Sequence, residues 1–226
     1  MKKGLIICSI LVFALLCNSS NAVSGKPFEG VITYKITYPD SKFSESQMAM
    51  FPKVLTVSIK GTKSRTDLSM GGMSTVEITD YNEKTSVSLV NMMGQKYAIK
   101  QTTVEIESKM AEEGTTTVEY SEETKVIAGY TCKKVVVTSN NDGVKNTFEA
   151  WYTNEIGSKL ANFSNPLYKD IDGALLEFLM KNQEVTMKFT ATSVEKKSIQ
   201  SKDFEIPSDY TITTQDELKS KFGGGN

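Results

Sequence analysis

The chain contains no histidine among its 226 residues. This absence excludes Ser-His-Asp and Cys-His nucleophilic pairs and zinc sites with imidazole ligands. Arg65 is the single arginine among 26 basic residues, so bidentate clamps for phosphate or carboxylate groups are scarce. The formal net charge of −1 argues against a nucleic-acid-binding protein, which needs a basic face. Beyond the N-terminal segment, no apolar run is long enough to cross a bilayer as a helix.

Residues 1–22 have the pattern of a secretory signal peptide. Lys2 and Lys3 precede an apolar run from Leu5 to Leu16, and Ser20-Asn21-Ala22 supplies small residues for cleavage. We therefore expect cleavage after Ala22 and a location in the periplasm or outside the cell. Leu16 is a poor residue to precede a lipid-modified cysteine, so lipoprotein anchoring at Cys17 is not expected.

Cysteine is almost absent from the expected mature chain, residues 23–226. Cys8 and Cys17 leave with the signal peptide, so Cys132 has no partner for an intramolecular disulfide. Hydrophobic burial and sheet hydrogen bonds must then stabilise the domain. Cys132 lies at the start of an apolar strand, where a small buried hydrophobe is favoured over a reactive thiol.

The chain is dominated by apolar residues that alternate with polar ones, which predicts β-strands. The first alternation is Ile32, Tyr34, Ile36 and Tyr38, and further ones follow at intervals of about 10 residues, separated by glycine-containing turns. We predict one mainly β (α+β) domain from residue 23 to 226. Its architecture is a curved antiparallel sheet or half-open barrel of about ten strands, with a few short helices as a lid.

Few segments have helical character. We predict a helix over Ser44–Phe51, one or two short helices within Asn154–Asp172, and a terminal helix over Gln215–Phe222 that Thr213 or Thr214 caps. We expect residues 223–226, which are three glycines and an asparagine, to form a flexible tail. The segment Leu175–Met180 fits either the end of an amphipathic helix or a hairpin strand that pairs with Val185–Ala191.

Two acidic segments resemble metal sites, but turn chemistry explains each better. Thr138 to Glu149 has the spacing of a helix-loop-helix calcium loop, yet Thr138 occupies the first ligand position and both flanks are strands. Asn141-Asp142-Gly143 therefore predicts a hairpin turn. Asp170 and Asp172 suit the end of a helix. The sequence predicts no catalytic residue, no metal site and no cofactor.

Several segments resemble exported Bacteroidetes domains of the GLPGLI-type family. Those segments are Phe28–Tyr34, Lys60–Arg65, Thr124–Lys134, Phe148–Thr153, Gly173–Phe178 and Phe204–Tyr210. The resemblance favours the strand interpretation of Leu175–Met180, because the glycine-leucine motif of that family falls there. It also implies a fold similar to periplasmic lipoprotein carriers of the LolA/LolB kind, with a concave apolar face under a lid.

We therefore expect a non-enzymatic periplasmic binding protein that holds a lipid or lipoprotein acyl chain in an apolar cavity. The residues expected to line the cavity are Ile32, Tyr34, Ile36, Leu55, Val57, Val76, Ile78, Val87, Leu89, Tyr97 and Trp151. The residues expected to form the lid are Met48, Phe51, Leu160, Phe163, Leu167 and Ile171. The alternative is an envelope structural or protein-interaction domain with a packed core and an exposed patch near Met70–Met73 or Met92-Met93.

Overall fold

The computed structural model describes residues 28–39, 41–112, 114–141, 143–157, 162–181 and 185–222. The predicted signal peptide and the tail from residue 223 lie outside these ranges. The described residues form one 12-stranded sheet, which is curved but not closed. Its strands are β1 Glu29–Thr37, β2 Val54–Lys60, β3 Lys63–Met70, β4 Met73–Asp80, β5 Thr85–Met92, β6 Gln95–Gln101, β7 Thr115–Ile127, β8 Tyr130–Asn141, β9 Val144–Thr153, β10 Ala174–Lys181, β11 Thr186–Lys196 and β12 Thr211–Thr213.

The strand order is β12-β6-β5-β4-β3-β2-β1-β11-β10-β9-β8-β7. Two series of hairpins, β1 to β6 and β7 to β11, meet where β1 pairs with β11. These neighbours are antiparallel, and β12 alone adds in parallel, against β6. The predicted mainly β, curved antiparallel architecture is confirmed, with more strands than expected. None of the helices in the described ranges has the length and apolarity to span a bilayer.

Each of the three α-helices in the described ranges begins with a capping box, in which a hydroxyl residue and an acidic or amide residue three positions later bond reciprocally. Helix α1, Glu45–Met48, starts at Ser44 with Gln47, and α2, Thr103–Glu112, starts at Thr102 with Glu105. Helix α3, Gln215–Phe222, starts at Thr214 with Glu217 and has the predicted bounds. Helix α1 is shorter than predicted, and α2 was not predicted.

The two hairpin predictions are confirmed. Strand β10 pairs with β11 through Phe178 and Phe189, and β8 pairs with β9 on either side of residue 142. Gly173, which precedes β10, has φ 138°, and a Cβ at this position would lie 2.3 Å from the carbonyl oxygen of Thr153. Only glycine fits at this position. Gly173 therefore lies at the entry to β10 and not in the middle of a helix.

The two faces of the sheet carry separate hydrophobic cores. We call the face with Ile32 and Tyr34 the inner face, and the face with Val31 the outer face. The inner core joins β1 and β2 to β8, β9, β10 and β11, so the curvature brings distant strands together. The outer core lies on β4, β5 and β6, where Ile199 and Phe204 cover it. The 3₁₀ turn Ser201–Phe204 is held there by Arg65, whose guanidinium donates to the carbonyl oxygen of Asp203 at 3.0 Å.

Candidate functional site

A cavity of 310 Å³ lies on the inner face, between β1–β4 and the segment that precedes β10. Four residues predicted to line it do so: Ile32, Tyr34, Leu55 and Val57. Leu175, Phe178 and Met180 of β10 form the opposite apolar wall, and Asn162, Ser164, Asn165 and Pro166 form the rim. The volume is at the lower end of the range for small-molecule sites.

On the inner face around the cavity, the side chains change from apolar on β1 and β2 to mostly polar on β3 and β4. One cross-strand row contains Leu55, Leu68, Thr75, Val90 and Tyr97. The next row contains Val57, Thr66, Glu77, Ser88 and Ile99, and the row after it contains Ile59, Ser64, Thr79, Ser86 and Gln101. The cavity therefore has an apolar part on β1 and β2 and a polar floor on β3 and β4.

Glu77 is the carboxylate of the polar floor. The hydroxyl of Ser86 donates to its Oε1 at 2.9 Å. Ser64, Thr79 and Ser86 are buried around it. Among the described residues, no lysine or arginine lies within 4.0 Å of the Glu77 carboxylate. A half-buried carboxylate with only hydroxyl neighbours retains acceptor capacity for a ligand.

Tyr81 closes the floor where β4 ends. Its side chain is buried, and burial raises its pKa to about 12, partly offset by a hydrogen bond with Ser64. The ring packs edge-on against Phe163, with centroids 6.3 Å apart. Phe163, a predicted lid residue, is thus placed beside the cavity floor.

Short helices were predicted within Asn154–Asp172, of which residues 158–161 lie outside the described ranges. Residue 162 is in a 3₁₀ turn, and residues 163–173 form turns and irregular structure. Ile171 is fully buried in the inner core, and Leu167 packs against the same core. The hydroxyl of Tyr168 donates to the carbonyl oxygen of Leu179 at 2.6 Å. These residues therefore belong to the packed inner core. Leu160 lies outside the described residues.

Met48 and Phe51, also predicted as lid residues, lie elsewhere. Met48 lines a separate groove of 500 Å³ between α1 and the adjoining ends of β1 and β2. The ring of Phe51 packs against Tyr38, with centroids 5.2 Å apart. Neither residue is among those that line the inner cavity. Helix α1 therefore covers one end of the sheet and does not close the cavity.

Four predicted lining residues lie on the outer face. Val76 pairs with Leu89 and Ile78 pairs with Val87, all facing Ile199 and Phe204. The prediction that these four residues line the cavity is wrong, because the covered face changes along the sheet. On β4 and β5 the apolar residues face the C-terminal segment, while their polar neighbours face the cavity.

The three remaining predicted lining residues do not line the inner cavity. Ile36 is on the inner face but is buried in the core and borders the α1 groove. Tyr97 is on the inner face beyond the cavity, with the amine of Lys221 5.3 Å from its ring centroid. Trp151 pairs with Lys134, and the amine of Lys125 lies 4.2 Å above its ring. The expected cavity position of Trp151 is therefore wrong.

Cys132 is buried, as the sequence favoured. Its side chain has 0% exposure, and burial raises its pKa to about 11. The thiol donates to the carbonyl oxygen of Tyr130. A protonated thiol without solvent access is a poor nucleophile.

A third groove, of 470 Å³, lies beneath α2 and has a larger volume than the inner cavity. Its charged lining residues include Lys84 and Glu107, which form an ion pair at 3.8 Å. The charges of these two exposed side chains are therefore already paired with each other. We therefore place the candidate site in the inner cavity, where Glu77 lacks such a partner.

The residues that sequence reasoning missed are the polar ones of the floor. Thr75, Glu77 and Thr79 alternate with Val76 and Ile78, and this pattern assigns them to a solvated face. Tyr81 lies at the turn directly after β4. An aromatic residue at a turn was the one signal in the sequence that could have indicated the floor.

The comparisons with known proteins identify a family and a distant structural likeness. The family model described as "N-glycanase peptide, N-terminal domain" matches residues 52–221. No curated protein matches the chain. A solved beta-barrel-like protein of domain of unknown function DUF1849 from Brucella abortus is similar over 76% of this chain and 99% of that chain, with 8% identity and a TM-score of 0.36. The family match covers most of the chain, from the start of β2 through α3, and the chain belongs to the family of N-glycanase peptide N-terminal domains.

Proposed function

We propose that this chain is a non-enzymatic binding domain whose inner cavity holds one amphiphilic molecule. An apolar chain would lie against Ile32, Leu55 and Val57, and a small polar head would lie against the floor at Glu77. The observation that carries the proposal is the change from apolar to polar lining within one cavity. A ligand with the same division would satisfy both parts.

Burial of an apolar chain supplies the affinity in this proposal. Transfer of apolar surface from water contributes about 25 cal/mol per Å². The apolar wall formed by β1, β2 and β10 is continuous with the inner core, so its side chains are already ordered before binding. A preordered wall lowers the entropic cost of association.

Glu77 selects the head group. A head with N–H or O–H donors would complement its carboxylate, whereas an anionic head would be repelled. The proposed ligand class is therefore a lipid-like molecule with a cationic or hydroxyl-bearing head. A neutral lipid with a free hydroxyl group falls within this class, whereas the acyl chain of a lipoprotein would occupy the apolar part alone.

A role in the hydrolysis of glycosidic bonds is not proposed. Hydrolysis of a glycosidic bond usually requires two carboxyl groups about 5–10 Å apart. Among the described residues that line the cavity, Glu77 is the one carboxylate. The proposed location is the periplasm or the exterior, on the strength of the signal-peptide pattern and the resemblance to GLPGLI-type domains.

The test is a binding titration with three ligands of equal chain length that carry an amine, a hydroxyl or a carboxylate head. We expect the amine and the alcohol to bind and the fatty acid to bind more weakly. Val57→Trp fills the apolar part and should abolish binding, whereas Val126→Trp, at an exposed strand position, should not. Glu77→Gln should reduce the preference for the amine by about tenfold or more. Equal binding by Val57→Trp and the wild type would contradict the proposal.

A second candidate is recognition of a glycan, which the hydroxyl and amide groups of the floor favour. Ser64, Thr66, Thr79 and Asn165 line the cavity beside Glu77, and the family description refers to an N-glycanase. The same titration with a free N-glycan distinguishes the two. Binding of the glycan without any of the amphiphiles would replace the first proposal with the second.

A further inference from the structure

Six methionines lie together at one end of the sheet. Met70 pairs with Met73, which pairs with Met92, so three of them form one inner-face row at the strand ends. Met93 follows in the β5–β6 turn, and Met48 and Met50 come from α1 and the turn after it. The backbone of Gly71 lies beside Met50. We call this set, Met48, Met50, Met70, Met73, Met92 and Met93, the methionine rim.

The methionine rim is not part of either core. Met93 is 99% exposed, Met50 64% and Met70 39%, and the other three are half-buried. Val54, at the start of β2, adds a further exposed apolar side chain with 52% exposure. Neighbouring exposed apolar residues at turn tips raise the free energy of the domain in water and indicate a surface that contacts another apolar phase.

Aromatic residues support the rim from behind. The ring of Phe51 contacts Tyr38 and Phe43, each with centroids 5.2 Å apart. The hydroxyl of Tyr38 donates to the carbonyl oxygen of Pro52. Aromatic side chains with one polar end are typical of the boundary between lipid tails and water.

Three lysines border the same end of the sheet. Lys35, Lys42 and Lys53 are exposed, and no carboxylate of the described residues lies within 4.0 Å of their amines. Lys35 and Lys53 line the α1 groove together with Met48 and Val54. Glu45 is the acidic residue of that groove. Basic side chains set behind an apolar edge complement the phosphates of anionic lipids.

We propose that the methionine rim docks on a lipid bilayer that contains anionic lipids. Met50, Met70 and Met93 enter the boundary between head groups and tails, and Lys35, Lys42 and Lys53 contact head-group phosphates. Methionine suits this task because its unbranched side chain adapts to a fluid surface. The apolar side chains project from separate turns and so do not form the continuous groove that an amphipathic helix of a protein partner would need.

This proposal does not depend on the cavity ligand. The rim lies on the inner-face side of the strand ends, next to the row that contains Leu68, Thr75 and Val90. Docking would therefore turn the apolar part of the inner face toward the bilayer. The rim would dock in the same way if the cavity remained empty.

The test is sedimentation with vesicles of phosphatidylcholine alone or with phosphatidylglycerol at three parts in ten. The wild type and every variant are purified from the same producing cell, so that all of them have the same N-terminus. We expect the wild type to bind the anionic vesicles and the variant with Met50→Gln, Met70→Gln and Met93→Gln to lose at least tenfold in affinity. The control variant, with Val126→Gln and Val144→Gln, changes two exposed apolar residues elsewhere and should bind as the wild type does.

The lysines have their own variant, with Lys35→Gln, Lys42→Gln and Lys53→Gln. It should bind anionic vesicles no better than vesicles of phosphatidylcholine alone. Oxidation by hydrogen peroxide provides a second measurement that needs no substitution. Vesicles should protect Met50, Met70 and Met93 from sulfoxide formation and leave Met110, on α2, unprotected. Equal vesicle binding by the wild type and the methionine variant would overturn the proposal, as would binding by the rim to an amphipathic peptide but not to vesicles.

Discussion

The hydroxyl group of Tyr34 donates a hydrogen bond of 2.8 Å to the carbonyl oxygen of Leu175, 141 residues later in the chain. The bond reaches from β1 over β11 to β10, and the Tyr34 ring packs edge-on against Phe178 with centroids 5.9 Å apart. Both residues also line the inner cavity. The contact therefore joins the two series of hairpins at the wall of the candidate site.

Loss of this hydrogen bond should destabilise the domain. Tyr34→Phe keeps the ring but leaves the Leu175 carbonyl without its donor, which costs about 1–3 kcal/mol. The matched control is Tyr120→Phe, because the Tyr120 side chain is 58% exposed and its hydroxyl donates only a longer, exposed bond of 3.3 Å to the carbonyl oxygen of Asp170. Urea unfolding measures both free energies. Similar losses in the two variants would show that the Tyr34 hydroxyl has no special role.

The lid segment should behave as part of the core. Ile171 has 0% exposure, so Ile171→Ala leaves a cavity that should cost about 2–5 kcal/mol. Ile212→Ala, at a position with 60% exposure, is the control and should change the unfolding free energy by about 0.5 kcal/mol or less. A small effect of Ile171→Ala in the same urea experiment would mean that the segment opens freely from the sheet.

The Cys132 thiol should be inaccessible in the folded protein. Because it is buried and its pKa is raised to about 11, iodoacetamide at pH 8 should not label it unless the protein is first unfolded. Peptide mapping by mass spectrometry distinguishes Cys132 from Cys8 and Cys17. Rapid labelling of Cys132 under native conditions would contradict the burial that the fold gives it.

The free energy of unfolding should fall at alkaline pH. Burial raises the pKa of Cys132 from 9.0 to about 11 and that of Tyr81 from 10.0 to about 12. Both groups hold their protons more tightly in the folded state than in the unfolded state. Their contribution to the free energy of unfolding is therefore complete below about pH 9 and is lost as the pH rises through the pKa values of the folded state. Urea midpoints from pH 8 to 11 measure the decline. The double variant Cys132→Ala and Tyr81→Phe should show a shallower decline than the wild type.

The sequence predicted the elements whose signals are local. The alternation in β1 and the cap of α3 each depend on a few neighbouring residues. The buried face of β1 and the bounds of α3 are therefore as predicted. Helix α2 was missed although Thr102 and Glu105 form the same capping box as the other helices. Its polar residues carry no clear apolar stripe, and that stripe was the signal used to find helices.

The residues predicted to line a cavity do border the inner cavity only where strand alternation and the covered face agree. On β1 and β2 the apolar residues face the inner core, so Ile32, Leu55 and Val57 were assigned correctly to the cavity wall. On β4 and β5 the C-terminal segment covers the other face, and Val76 and Leu89 turn toward it. Alternation shows which residues share a face but not which face is covered, because the cover comes from a distant part of the chain.

Native mass spectrometry of the protein from its producing cell, before and after extraction with organic solvent, shows whether the inner cavity holds an amphiphile. We expect a removable adduct with an apolar chain and a cationic or hydroxyl-bearing head. The adduct should be retained by Val126→Trp and lost in Val57→Trp. A bare protein mass that stays unchanged when such amphiphiles are offered would contradict the account and leave a domain whose inner face binds no small molecule.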